Sequence, residues 1–206
     1  MKAGNNSERM ELFGLNLKLS SGRLAEIGPI LRRFFINTLF DSTFTQLGIL
    51  IGSAFADNPD LRLVIGTLIS SSIALGISTG VSVYESETLE RERRTAELEK
   101  ALFRKLDKTR LAETYRNYAR LLALVNFVTP LICCAIIVMP IAAAFFNILA
   151  PSVASWFSIT LAMATLFAAG VYFGRYGKRN PLRKGLRMVG FGVIAFAAGY
   201  LIQTLL

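Results

Sequence analysis

Apolar residues run along this chain in long blocks with almost no charged interruption. Residues 63–84, 121–146, 152–174 and 188–206 contain no Lys, Arg, Asp or Glu. Each is long enough to cross a hydrocarbon core of about 30 Å, which takes about 20 helical residues. A fifth block, residues 34–56, qualifies if it tolerates one carboxylate, that of Asp41. Between Asp41 and Asp57 lie fifteen uncharged residues, which at a rise of about 1.5 Å each cover only roughly 22 Å. Counting from Phe34, just after Arg32 and Arg33, gives roughly 34 Å. The pattern therefore predicts five transmembrane helices and places Asp41 inside the first, about two turns from its charged end; a re-entrant segment is the alternative.

The polar remainder completes the layout. Residues 1–33 form an N-terminal segment in which SERMELFGLNLKLSSGRLAEIG mixes apolar and charged positions. It reads equally as an interfacial helix and as a loosely ordered tail. The spans are assigned as 34–56, 63–84, 121–146, 152–174 and 188–206. Residues 85–120 are a charged segment without Pro or Gly that continues the second span as one long helix or two with a bend. Residues 175–187 are a basic loop. The Ala54-Phe55-Ala56 triplet resembles a leader cleavage site, but the apolar run before it is far longer than the core of a signal peptide, and it reads as a span that stays.

Composition agrees with this pattern. Of 206 residues, 53% are hydrophobic and the mean hydropathy is +0.48, above what soluble domains show. The expected class is an all-α integral membrane protein of five transmembrane helices, with a helical extension between the second and third. Charge then sets orientation. The N-terminal segment carries six Lys or Arg, residues 85–120 carry ten and residues 175–187 carry six, whereas FADNPDLR has one and NILAP none. By the positive-inside rule the N-terminus, the long middle segment and the basic loop face the cytoplasm, and the C-terminus faces the opposite side. The net charge of +9 then reflects topology and anionic lipid rather than nucleic acid, for which no recognition module is visible. Which membrane holds the protein is left open by composition.

Candidate chemistry is sparse. The chain has no histidine, so a bound metal would rest on carboxylate, hydroxyl, carbonyl or thioether groups, a set that favours harder ions. Cys133 and Cys134 are adjacent and point about 100° apart on a helix, which suits apolar packing better than a metal pair. No nucleophile triad, phosphate loop or nucleotide fingerprint occurs, so neither an enzyme nor a bound cofactor is expected. In the second span, Ser72, Gly76 and Gly80 recur every four residues with Thr79 and Val83 on the same side. This stripe of small residues lets another helix approach closely, or borders a polar path. Beyond the membrane, Glu87 with Arg91 and Glu90 with Arg94 have the favourable i,i+4 order of a solvated helix. Glu85, Glu87 and Glu90 precede the first arginine and form an acidic collar able to concentrate a divalent cation.

Three stretches carry a resemblance to a known family: LRRFFINTLFDSTFTQLGILIG, with an aspartate early in the first span; IALGISTGVSVYESETLERE, leading into an acidic helix; and NPLRKGLRMVGFGVIAFAAGYLIQTLL at the end. The chain resembles the vacuolar iron transporter family of divalent metal carriers, from Leu31 to its end. The resemblance implies a homodimer with its ion path between the subunits, exporting ferrous iron or manganese from the cytoplasm in exchange for protons. It makes Asp41 an intramembrane metal ligand that alternates between cation and proton, facing its twin across the two-fold axis. Thr79 stands where the family usually has methionine, Val83 where many members have glutamate, and Ser42 where glycine is favoured; the cytoplasmic segment is shorter than the family's glutamate-rich metal-binding domain. The expected metal-binding residues are Asp41, Thr79, Glu85, Glu87 and Glu90. Loss of the thioether leaves manganese or another divalent ion open beside iron. A membrane interaction or regulatory protein that keeps the fold without transport is the alternative, and a passive cation channel a third.

Overall fold

The computed structural model describes residues 7–12, 15–54, 60–103, 110–176 and 180–205. Five helices carry the chain: α1 (Ser21–Ala54), α2 (Leu61–Leu102), α3 (Arg110–Phe145), α4 (Pro151–Tyr176) and α5 (Pro181–Leu205). All five contain stretches long and apolar enough to cross a membrane, as the hydropathy blocks predict. The loop residues 55–59, Asp107, and Lys178 with Arg179 of the basic loop lie outside the described residues.

Residues 7–12 and 15–20 of the N-terminal segment depart from both expectations for it, whereas SGRLAEIG is helical as the start of α1. Strands β1 (Ser7–Leu12) and β2 (Leu15–Ser20) pair antiparallel, with Met10 opposite Leu17 and Leu12 opposite Leu15. The physical reason is visible in LNLKLS, where apolar and polar residues alternate with the period of a strand rather than of a helix.

Each helix boundary has a local cause. Asp60 caps α2, its Oδ1 accepting from the backbone N–H of Arg62 at 2.9 Å and of Leu63 at 3.4 Å. Pro151 and Pro181 open α4 and α5 at the position where a missing N–H costs no helix bond. At the end of α3, Asn147 takes a φ of 58°, its N–H bonds the Ala144 carbonyl at 2.9 Å and the Ile148 N–H reaches the Ala143 carbonyl at 3.0 Å. This is a Schellman ending with asparagine in the left-handed position. The 42-residue α2 continues from its membrane stretch without a break and ends before Phe103, whose φ of 52° is rare for a bulky residue. With α3 beginning at Arg110, the segment 85–120 is two helices.

The chain divides into two compact units, residues 1–35 with 78–126 and residues 36–77 with 127–206. In the second unit a cluster of buried side chains joins α1 (Leu47, Leu50, Ile51), α2 (Val64, Leu68), α3 (Cys134, Ile137, Ile141, Ala144) and α4 (Ala154, Ile159, Ala162). Helices in lipid gain little from hiding apolar surface from one another, so close packing must hold them. Glycines supply it. A Cβ on Gly170 of α4 would lie 2.8 Å from the Cα of Gly185 on α5, and one on Gly76 of α2 would lie 2.8 Å from the backbone oxygen of Phe127 on α3. Gly76→Ala should therefore lower stability by about 1–3 kcal/mol, the usual cost of overpacking. Gly66→Ala, in the same helix with open space around its Cβ, should be neutral or slightly stabilising; thermal unfolding in detergent compares the two.

Candidate functional site

Asp41 lies within the candidate membrane stretch Gly28–Ser53 of α1, about two turns beyond Arg32 and Arg33. The buried side of α1 is formed by Thr38, Leu39, Ser42, Thr43, Gln46, Leu47 and Leu50, and Asp41 points the other way. Asn37, Asp41, Thr45, Gly48 and Gly52 are all exposed, and their spacing of four, four, three and four puts them on one stripe of the helix. Among the described residues the Asp41 carboxylate makes no hydrogen bond or ion pair; the Thr45 hydroxyl bonds the Asp41 backbone oxygen at 2.7 Å. A Cβ added at Gly48 or Gly52 would meet nothing within 4 Å. The chain thus presents, inside its first span, a carboxylate without a partner among the described residues, two turns from the exposed pair Gly48 and Gly52.

Behind that stripe lies a buried polar seam. Gln46 is 1% exposed, and its Nε2 donates toward Ser42 Oγ on its own helix at 3.2 Å, Ser72 Oγ of α2 at 3.0 Å and the Pro130 carbonyl of α3 at 3.4 Å. Two N–H groups shared among three acceptors pin α1 to α2 and α3. The Oε1 of the same amide is buried without a hydrogen bond. Thr43 bonds the Leu39 carbonyl at 2.7 Å and approaches Cys133 Sγ at 4.0 Å, while Cys134 Sγ lies 3.5 Å from the Leu68 carbonyl. Both thiols are buried packing groups. Gln46→Leu should lower stability by about 1 kcal/mol, since interhelical hydrogen bonds in membranes contribute roughly that much and the orphaned oxygen is lost with them. Gln46→Glu, which removes both N–H donors and leaves oxygens facing oxygens, should cost more; unfolding curves for both variants check the order.

Of the other expected ligands, Thr79, Glu87 and Glu90 have partners of their own. The Thr79 hydroxyl is half-buried and donates to the Asn126 carbonyl at 3.2 Å. That carbonyl lacks a helical partner because residue 130, four positions on, is a proline without an N–H. Ser72, Gly76, Gly80 and Val83 are buried, so the small-residue stripe of α2 packs inward. On the extension of α2, Glu87 pairs with Arg91 at 3.5 Å and Glu90 with Arg94 at 3.1 Å, as the i,i+4 order predicts. The Arg91 guanidinium also lies 5.8 Å from the centroid of the Tyr118 ring. Glu85 is exposed. Among the described residues, no three Asp, Glu, Cys or His side chains gather into a metal cluster. The features that sequence reasoning missed, Gln46 and the Gly48/Gly52 face, both had a signal: an amide in an apolar run, and a small-xxx-small pair.

Comparison with known proteins adds two findings. The model of the VIT family matches residues 119–204, a range that takes in most of α3 and all but the last residue of α5. An uncharacterised protein of Methanocaldococcus jannaschii is 26% identical over 168 residues, covering 80% of this chain and 84% of that protein. The closing stretch NPLRKGLRMVGFGVIAFAAGYLIQTLL falls almost wholly within the family match; the stretch around Asp41 lies outside it.

Proposed function

We propose that this chain, similar over its last three spans to the VIT family, is a homodimeric membrane carrier that moves ferrous iron or manganese out of the cytoplasm in exchange for protons. The observation that carries the proposal is Asp41: an ionisable side chain inside the first span, exposed on the chain and without a partner among the described residues. An unpaired charge costs roughly 2.5–3.5 kcal/mol at the centre of a span on insertion scales and less toward its end, and inside a span it marks an ion pathway by default. A second copy of α1, brought close by Gly48 and Gly52, supplies a second carboxylate and doubles a ligand set that one chain cannot complete. Hard oxygen ligands suit a divalent ion, and a carboxylate that releases its cation can take up a proton instead.

The remaining acids fit a collecting role at the cytoplasmic mouth, with the N-terminus on that side and the C-terminus opposite. Glu85 is available directly. Glu90 exchanges its arginine for a cation at little expense, because exposed i,i+4 pairs are weak, whereas the Glu87–Arg91 pair is half-buried and harder to separate. Thr79 offers a metal only the oxygen lone pairs its hydrogen bond leaves over. That engagement, together with the buried Val83, favours the second reading, a membrane interaction protein that keeps the fold without transport.

The test is uptake of Fe2+, Mn2+ and Ca2+ into liposomes holding the purified chain, with and without a pH gradient. Flux of the transition metals that responds to the gradient supports the carrier. No flux of any ion overturns it in favour of the non-transporting reading, and flux indifferent to the gradient identifies a passive channel.

A further inference from the structure

The end of α5 at Pro181 carries charges that the described protein leaves uncompensated. After Glu113 the sequence contains no Asp or Glu at all, while Arg175, Lys178, Arg179, Arg183, Lys184 and Arg187 crowd the connection between α4 and α5. Among the described residues the ion pairs are Arg91–Glu87, Arg93–Glu97 and Arg94–Glu90, all within α2. Arg183 and Arg187 are exposed and one turn apart, and the Arg187 guanidinium lies 5.8 Å from the centroid of the Phe191 ring.

Below these bases the same helix turns apolar. Residues 188–205 cover about 27 Å at 1.5 Å each, close to the thickness of a hydrocarbon core, so Arg183 and Arg187 stand at headgroup level. Leu182, Leu186, Phe191, Val193 and Ile194 are exposed on this helix, and α5 is the least covered of the five, with 6% of its apolar window buried against 39% in α1, α3 and α4. Gly190 is exposed, and a Cβ built there would meet nothing within 4 Å. Its surface neighbours at three and four residues are Leu186, Arg187, Val193 and Ile194, so the missing side chain leaves a notch between an arginine and an apolar wall.

We propose that this end of α5 is a binding site for an anionic phospholipid, with Arg183 and Arg187 on the phosphate and an acyl chain lying in the notch at Gly190. Charge selects an anion, and the apolar wall continuous with the arginines selects one that carries a hydrocarbon tail. The site is independent of whether the chain transports a metal.

Native mass spectrometry of the detergent-purified full chain, titrated with phosphatidylglycerol or phosphatidylcholine, tests it, with thermal unfolding in inorganic phosphate as a parallel arm. Phosphatidylglycerol should bind at least tenfold more tightly than phosphatidylcholine. Arg183→Gln/Arg187→Gln should weaken it roughly thirtyfold, as expected for two bases at a membrane surface. Gly190→Leu, which fills the notch and keeps every charge, should weaken both lipids about threefold, the worth of a lipid-packing contact of under 1 kcal/mol. Arg183→Lys/Arg187→Lys should retain the preference, and decides the matter if the glutamine pair does not fold. Equal affinity for the two lipids in the parent, undiminished phosphatidylglycerol binding in the glutamine pair, or equal stabilisation by inorganic phosphate would each overturn the proposal.

Discussion

Asp41→Asn should reduce metal flux by roughly a hundredfold or more, beyond the 10–100-fold that follows loss of a mere supporting residue at a metal site, while leaving the protein folded. The substitution keeps the size of the side chain and removes only its ability to carry charge. In the protomer nothing depends on that charge, since among the described residues the carboxylate has no hydrogen-bond or ion-pair partner. Removing an unpaired charge from inside a span should leave thermal stability unchanged or raised, by up to about 3 kcal/mol on insertion scales. A loss of flux with no loss of stability separates a ligand from a structural residue. Asp41→Ala should behave alike in flux. Parent-like transport in both variants would remove Asp41 from the ion path.

Gly48→Ile/Gly52→Ile should convert the proposed dimer to monomer without unfolding the chain. Neither glycine has an atom within 4 Å of an added Cβ, so the protomer accommodates the larger side chains, and isoleucine is the better helix former. At a helix–helix contact the same side chains would force the backbones apart. Overpacking costs about 1–3 kcal/mol, so two substitutions weaken dimerisation by roughly a hundredfold. Sedimentation in detergent reads the mass, and flux should fall with the dimer because each Asp41 loses its twin. Gly170, where a Cβ would come within 2.8 Å of the Gly185 Cα, provides the contrast: Gly170→Ile should damage the fold itself. If the Gly48/Gly52 variant stays dimeric, the copies meet through another face and the paired-carboxylate site fails.

The five helices were legible because membrane spans are written in long runs whose meaning does not depend on neighbours. The hairpin was less so. Its alternation in LNLKLS is short, and charged residues on either side make an amphipathic helix an equally good reading of composition. The position of Asp41 along α1 followed from length arithmetic, but which side of α1 it faces depends on where Ser72 and Pro130 stand, and no local pattern contains that. The engagement of Thr79 has the same character. Its hydroxyl is drawn to Asn126 because a proline four residues on in α3 frees that carbonyl, a consequence of two helices meeting at one register. Gln46 was visible as a lone amide, yet its role as a three-helix pin required the acceptors to be in place.

None of the twelve buried residues of the central cluster comes from α5. That helix is held through the glycine contacts with α4, by Ala195 and Phe196 packed half-buried against the cluster and by Gly199 against Ile51, and most of its surface looks outward. Changes on its outer positions should therefore register in the surrounding bilayer while the arrangement of the other four helices stays as it was. Contact with lipid and burial in the cluster are thus carried largely by different side chains, so the first can be retuned with little effect on the second.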